Sequence, residues 1–127
     1  MNSQPQLDSA ALARLCRLGG NKFACEMIDL FLDYAGKKVA EARAAQSLGN
    51  LAGVEKAAHP LKSSAGNVGA SQVQELATRV EKAAALGQAG DVSECLTELE
   101  AAYASVSLEL IAAKQKLTDS AAPTQPT

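Results

Sequence analysis

Apolar residues recur along most of this chain in alternating steps of three and four, the period of helices that bury one face. The pattern is cleanest near the C-terminus, where Val92, Leu96, Leu99, Tyr103, Val106, Leu110, Ala113 and Leu117 form one seam. A coiled-coil dimer would use such a seam too, but a helix reached by short connections more often packs within its own domain. A long helix is predicted over residues 22 to 48, with Phe23, Met27, Leu30, Phe31 and Tyr34 inward, a bend at Gly36, then Val39, Ala42, Ala45 and Leu48. A short helix precedes it, capped by Asp8 or Ser9, carrying Leu12, Leu15 and Cys16, and closed by Gly19-Gly20; Asn21 is placed to cap the long helix. Gly49-Asn50 turns the chain into a helix through residue 68. Ser71 then opens another, with Gln74 completing a capping box and Val73, Leu76, Ala77, Val80 and Ala84 inward. After the Gly87–Gly90 turn, Asp91 and Glu94 repeat the box. Short turns make successive long helices antiparallel, so the expectation is one all-α bundle domain over residues 7–117. Residues 1–6 are polar and residues 118–127 are rich in Pro, Ser, Thr and Ala, and both are expected to be flexible.

The helix from Leu51 carries the feature that points beyond packing. Leu51, Val54, Ala58, Leu61, Ala65 and Val68 fall on one stripe at 100° per residue. His59, the only histidine in the chain, points about 130° away from the middle of that stripe. Its helical neighbours are Glu55, Lys56, Lys62, Ser63 and Gly66. Pro60 lies directly after it and removes one ladder bond, to the Lys56 carbonyl, at a cost of roughly 3 kcal/mol; a bend just before His59 is expected.

Composition narrows the possibilities. With 127 residues the chain suits one domain, and 47% apolar content can fill a core although only 3% is aromatic. A net charge of −2 argues against nucleic acid as partner and gives no reason to expect an anionic membrane surface. Cys16, Cys25 and Cys95 are widely spaced in apolar helical stretches and read as small hydrophobes in a reducing compartment. One histidine and no Cys-x-x-Cys pair make a zinc site improbable. No leader-like segment and no span long and apolar enough for a bilayer is apparent, so a cytoplasmic location is expected.

A neutral imidazole nitrogen is a nucleophile near pH 7. Phosphoryl transfer to it needs positive charge near the phosphate oxygens and a clear in-line approach. Lys62, one turn on, can supply the charge, and small residues at Ser63 and Gly66 leave the approach open to a large partner.

The run His59-x-Leu61-Lys62-x-Ser64-Ala65-x-Asn67-Val68-Gly69-Ala70 resembles the signature of the histidine-containing phosphotransfer (HPt) domains of multistep phosphorelays. Upstream, Leu7-Asp8, Ala11–Leu15 and Gly19-Gly20 resemble that family's opening helix and turn, and Met27–Leu32 its second helix, so the resemblance spans residues 7 to 116. It implies an antiparallel four-helix bundle with an additional short N-terminal helix. It implies His59 as phosphoacceptor, Lys62 as its electrostatic partner, and Glu55, Lys56, Ser63 and Gly66 within a partner-binding face. The partners it implies are receiver domains, including those of hybrid histidine kinases. The domain is expected to be a monomer and a carrier rather than an enzyme, with no ATP site and no cofactor of its own; Mg²⁺ is expected on the receiver. Ser63 departs from the glycine usual there: it narrows the approach, bonds back to the His59 carbonyl, or reaches the phosphate. A receiver-binding regulator without phosphotransfer is the alternative. An autonomous enzyme has neither a Gly-rich phosphate loop nor an acidic metal cluster to support it, and Pro60 stands where a histidine kinase helix normally has an acid.

Overall fold

The computed structural model describes residues 7–121, and the expectations for residues 1–6 and 122–127 lie outside it. Four helices follow one another: α1 (Ser9–Ser47), α2 (Leu51–Asn67), α3 (Ser71–Ala85) and α4 (Ala89–Ala121). Each packs on the next and α4 closes against α1, giving an up-and-down bundle. α1 is broken at Gly20, whose φ of 87° and ψ of 177° are non-helical. The arm before the break is the short N-terminal helix. Three-residue turns join the helices, and each contains a glycine in the left-handed region: Gly49, Gly69 and Gly87. That conformation ends a helix by turning its last carbonyls onto N–H groups beyond it.

The core is apolar and rich in alanine. Ala24, Ala35, Ala42, Ala58, Ala65 and Ala77 are fully buried beside Ile28, Leu61, Val80, Leu96, Leu99 and Leu110. Small side chains let the helices approach closely, so few aromatic rings are needed to fill the interior. Five of the eight seam residues of α4 are buried, while Tyr103, Ala113 and Leu117 are half-covered at its edge. Tyr103 spans two helices: its hydroxyl donates to the Leu32 carbonyl at 2.6 Å. Gly36 makes room for it, since a Cβ there would lie 2.8 Å from that oxygen. The non-helical backbone within α1 is at Gly20 and not at Gly36, the expected site of a bend.

Several helix ends differ from expectation for local reasons. Asp8 does cap α1, accepting from the Ala10 N–H at 3.0 Å, and Asn50 caps α2 through Gly53. Asn21 instead sends its amide across to the Leu117 carbonyl at 3.1 Å. Ala70, not Ser71, is the N-cap of α3, without a side-chain cap. α4 starts at Ala89, which puts Asp91 in its first turn, where the helix dipole favours it, rather than at the cap. The same helix continues past residue 117 to Ala121, with Thr118 bonded back to the Lys114 carbonyl. So residues 118–121, expected to be flexible, are helical. Pro60 sits inside α2 without ending it.

Candidate functional site

α2 presents its apolar stripe to the core as its spacing requires: Val54, Ala58, Leu61, Ala65 and Val68 are all at most 1% exposed. The opposite face carries His59, whose side chain is 67% exposed. Its ring is not free on both sides. Nδ1 lies 2.5 Å from Oε2 of Glu81 on α3, and the other oxygen of that carboxylate, Oε1, lies 2.5 Å from Nζ of Lys62. Lys62 therefore reaches the imidazole through Glu81. The Lys62 hydrogen bond, aided by that of His59, holds the Glu81 carboxyl below its ordinary range, against the desolvation that pushes it up. An ionised carboxylate can only accept, so it selects the tautomer with the proton on Nδ1 and leaves the Nε2 lone pair available.

The other candidate residues divide. Glu55, Lys56 and Ala52 line an open hollow of about 440 Å³ together with His59 and Glu81. Ser63 is exposed on the turn after His59. The neighbouring Ser64, not Ser63, bonds back along the helix, donating to the Pro60 carbonyl at 3.1 Å. Gly66 does not hold a path open. Gln74 of α3 crosses it to donate to the Lys62 carbonyl at 3.0 Å, and a Cβ on Gly66 would lie 2.7 Å from that amide nitrogen. Its small size serves the contact between α2 and α3. Gly69 has a comparable structural task. With φ at +79° it turns its carbonyl to accept from the Asp8 N–H at 2.7 Å, and Leu7 pairs with Ala70 in an isolated antiparallel bridge. The segment entering α1 is thereby pinned to the turn that ends the histidine helix.

On the other side of α2, Met27, Leu30, Phe31 and Tyr34 of α1 form a shallow apolar groove with Ser64, Asn67 and Val68. Leu30 is 63% exposed there. Ser64 is five residues from His59, about 7.5 Å along the helix axis.

A protein-family model described as Hpt domain matches residues 26–117. The chain belongs to the Hpt domain family. The crystal structure of histidine-containing phosphotransfer protein B (HptB) from Pseudomonas aeruginosa PAO1 superposes with a TM-score of 0.84 at 22% identity, covering 90% of this chain and 98% of that one. The HPT domain of an Hpt sensor hybrid histidine kinase from Shewanella gives a TM-score of 0.75 at 18% identity, covering 89% and 97%. At these identities the two neighbours speak to the fold. No curated protein matches the sequence. The family carries the functional statement: this is a phosphotransfer carrier of phosphorelays, and domains of this kind interact with receiver domains. Among the described residues no helix is long and apolar enough to cross a membrane, and no cluster of His, Cys, Asp and Glu is placed to hold a metal. Cys16, Cys25 and Cys95 are free and half-buried.

Sequence reasoning missed Glu81 and Gln74, and both were within reach of it. In an antiparallel helix pair, residues equally far from the turn lie side by side. His59 is 11 residues before Ala70 and Glu81 is 11 after it; Gly66 is four before and Gln74 four after. Reflection about Ala70 finds both partners, whereas the capping-box reading turns Gln74 back onto its own helix.

Proposed function

We propose that His59 is the phosphoacceptor of this Hpt domain and that it takes its phosphoryl group from a receiver-domain phospho-aspartate. The observation that supports this most is the orientation of the ring, with Nδ1 held by Glu81 and the remaining nitrogen on an exposed face. In the reaction, the Nε2 lone pair forms the bond to phosphorus. The bond from phosphorus to the aspartyl oxygen breaks, and its electron pair stays on the aspartate carboxylate. The proton remains on Nδ1, where the Glu81 carboxylate stabilises the positive charge that develops on the ring. Return of the group to another receiver aspartate follows the same path backwards.

Lys62 acts in this scheme by keeping Glu81 ionised and placed, and its ammonium adds positive potential at the phosphate side. Receivers dock along α1 and α2, with the groove around Leu30 and Tyr34 taking their apolar residues and the face of Lys56 and Ser63 framing the imidazole. An apolar patch with a polar rim is the usual anatomy of a transient protein contact. The domain works as a monomer in the cytoplasm, takes no nucleic acid or membrane as partner, has no ATP site and needs no cofactor of its own, the Mg²⁺ being the receiver's.

The test is transfer from a radiolabelled receiver to the native protein and to His59→Gln. The expected result is an acid-labile, base-stable label on the native protein alone, with both proteins folded. Label on His59→Gln would reject the site. Binding of receivers without any label would favour the receiver-binding regulator.

A further inference from the structure

The lysines flanking α2 are not equivalent. Lys62 is engaged by Glu81. Lys38 pairs with Glu41 at 3.1 Å and lies 5.6 Å above the Tyr34 ring. Lys56 is exposed and forms no ion pair among the described residues. Its helical neighbours three and four positions away are Ala52, Gly53, His59 and Pro60, none of them an acid. Side chains on a helix lean toward its N-terminus, so the imidazole of His59 lies over the turn that carries Lys56. The hollow beside the ring agrees: Lys56 lines it and Lys62 does not. Two carboxylates, Glu55 and Glu81, line it as well. A phosphoryl group carried on Nε2 would meet their repulsion unless its oxygens turned toward a cation, and Lys56 is the cation in the hollow with no acid partner of its own.

We propose that Lys56 is a further catalytic residue, whose ammonium binds the phosphoryl oxygens on His59 Nε2 while Lys62 stays with Glu81. This rests on the phosphoacceptor reading of His59. It gives Lys56 contact with the transferred group itself, where a docking residue would touch only the partner protein.

A small donor separates the two roles, because it brings no docking surface. Phosphoramidate can phosphorylate an imidazole directly: the Nε2–P bond forms, the donor's P–N bond breaks, and the amine leaves with the electron pair as ammonia. The native protein, Lys56→Met and Lys56→Arg are incubated with phosphoramidate, and phosphohistidine is followed by ³¹P NMR. The methionine variant should take up phosphate roughly three- to tenfold more slowly. Arginine should restore most of the rate, and added salt should slow the native protein more than the methionine variant. Equal uptake by native and Lys56→Met proteins would overturn the proposal. So would a slowing seen only with a receiver as donor, which would make Lys56 a docking contact. If the native protein took up phosphate neither from phosphoramidate nor from a receiver, the phosphoacceptor reading would fall first, an outcome distinct from both.

Discussion

Replacing Glu81 by glutamine tests whether the carboxylate beneath the imidazole matters to the chemistry. The change keeps the shape and a hydrogen-bonding group but removes the charge. A hydrogen bond to an ionised partner contributes about 1.5–3 kcal/mol, against about 1 kcal/mol for a neutral one. The Glu81 side chain is only 19% exposed, which preserves most of this difference, but the imidazole is 67% exposed, which screens part of it. About 1 kcal/mol of stabilisation of the charged ring should be lost, a factor of about five in rate. Glutamine can also turn its amide and donate to Nδ1, which moves the ring proton to Nε2 and blocks the nucleophile, so the loss should approach about tenfold. The assay is single-turnover transfer from a phosphorylated receiver at saturating concentration, which separates the chemical step from docking. A rate equal to or above that of the native protein would refute the role given to Glu81. Stability supplies a second readout. The folded carboxyl titrates below its ordinary value, so ionised Glu81 contributes stability that is full above about pH 4.5 and fades as pH falls through the folded value. The stability difference between native and Glu81→Gln proteins in denaturant should therefore shrink on acidification; a difference constant with pH would contradict the ion-pair account.

Two other substitutions probe the frame and the docking face. Gly69→Ala should destabilise the bundle by about 2–3 kcal/mol, because it combines positive-φ strain with a Cβ 2.5 Å from the Asp8 carbonyl oxygen; an unchanged urea midpoint would refute the pinning of the N-terminal segment. Leu30→Glu should weaken receiver binding at least tenfold by calorimetry while leaving thermal stability and phosphoramidate uptake unchanged, since Leu30 is 63% exposed; unaltered affinity would remove the α1 groove from the docking surface.

The parts of this molecule that the sequence made legible are those set by periodicity. The inward stripe of α2, its outward histidine and the seam of α4 each follow from helical spacing, because one face must leave water whatever the neighbours are. Helix ends were less legible. Ser71 and Asp91 have cap-forming side chains, yet the glycines at 69 and 87 turn the chain early, so the N-cap of α3 falls on Ala70, one residue before Ser71, and α4 starts at Ala89, two before Asp91. Residues 118–121 read as tail by composition, but Asn21 and Lys114 tie that end of α4 to α1, through the Leu117 carbonyl and Asp29. Glycine in the motif was the most misleading signal. Gly66 suggests an open approach, but it is the floor on which Gln74 lies, a contact made across two helices and invisible to the spacing within one. Glu81 belongs to the same class: its role arises only when α3 folds back against α2.

The central claim concerns one atom, Nε2 of His59, with its opposite ring nitrogen held by Glu81. The most direct measurement is proton–nitrogen correlation NMR of the phosphorylated protein, with its single histidine ¹⁵N-labelled in the ring. The account predicts phosphorus coupled to Nε2 and a proton retained on Nδ1. Phosphorus on Nδ1, or a phosphorylated protein whose imidazole nitrogens are both unmodified, would contradict it.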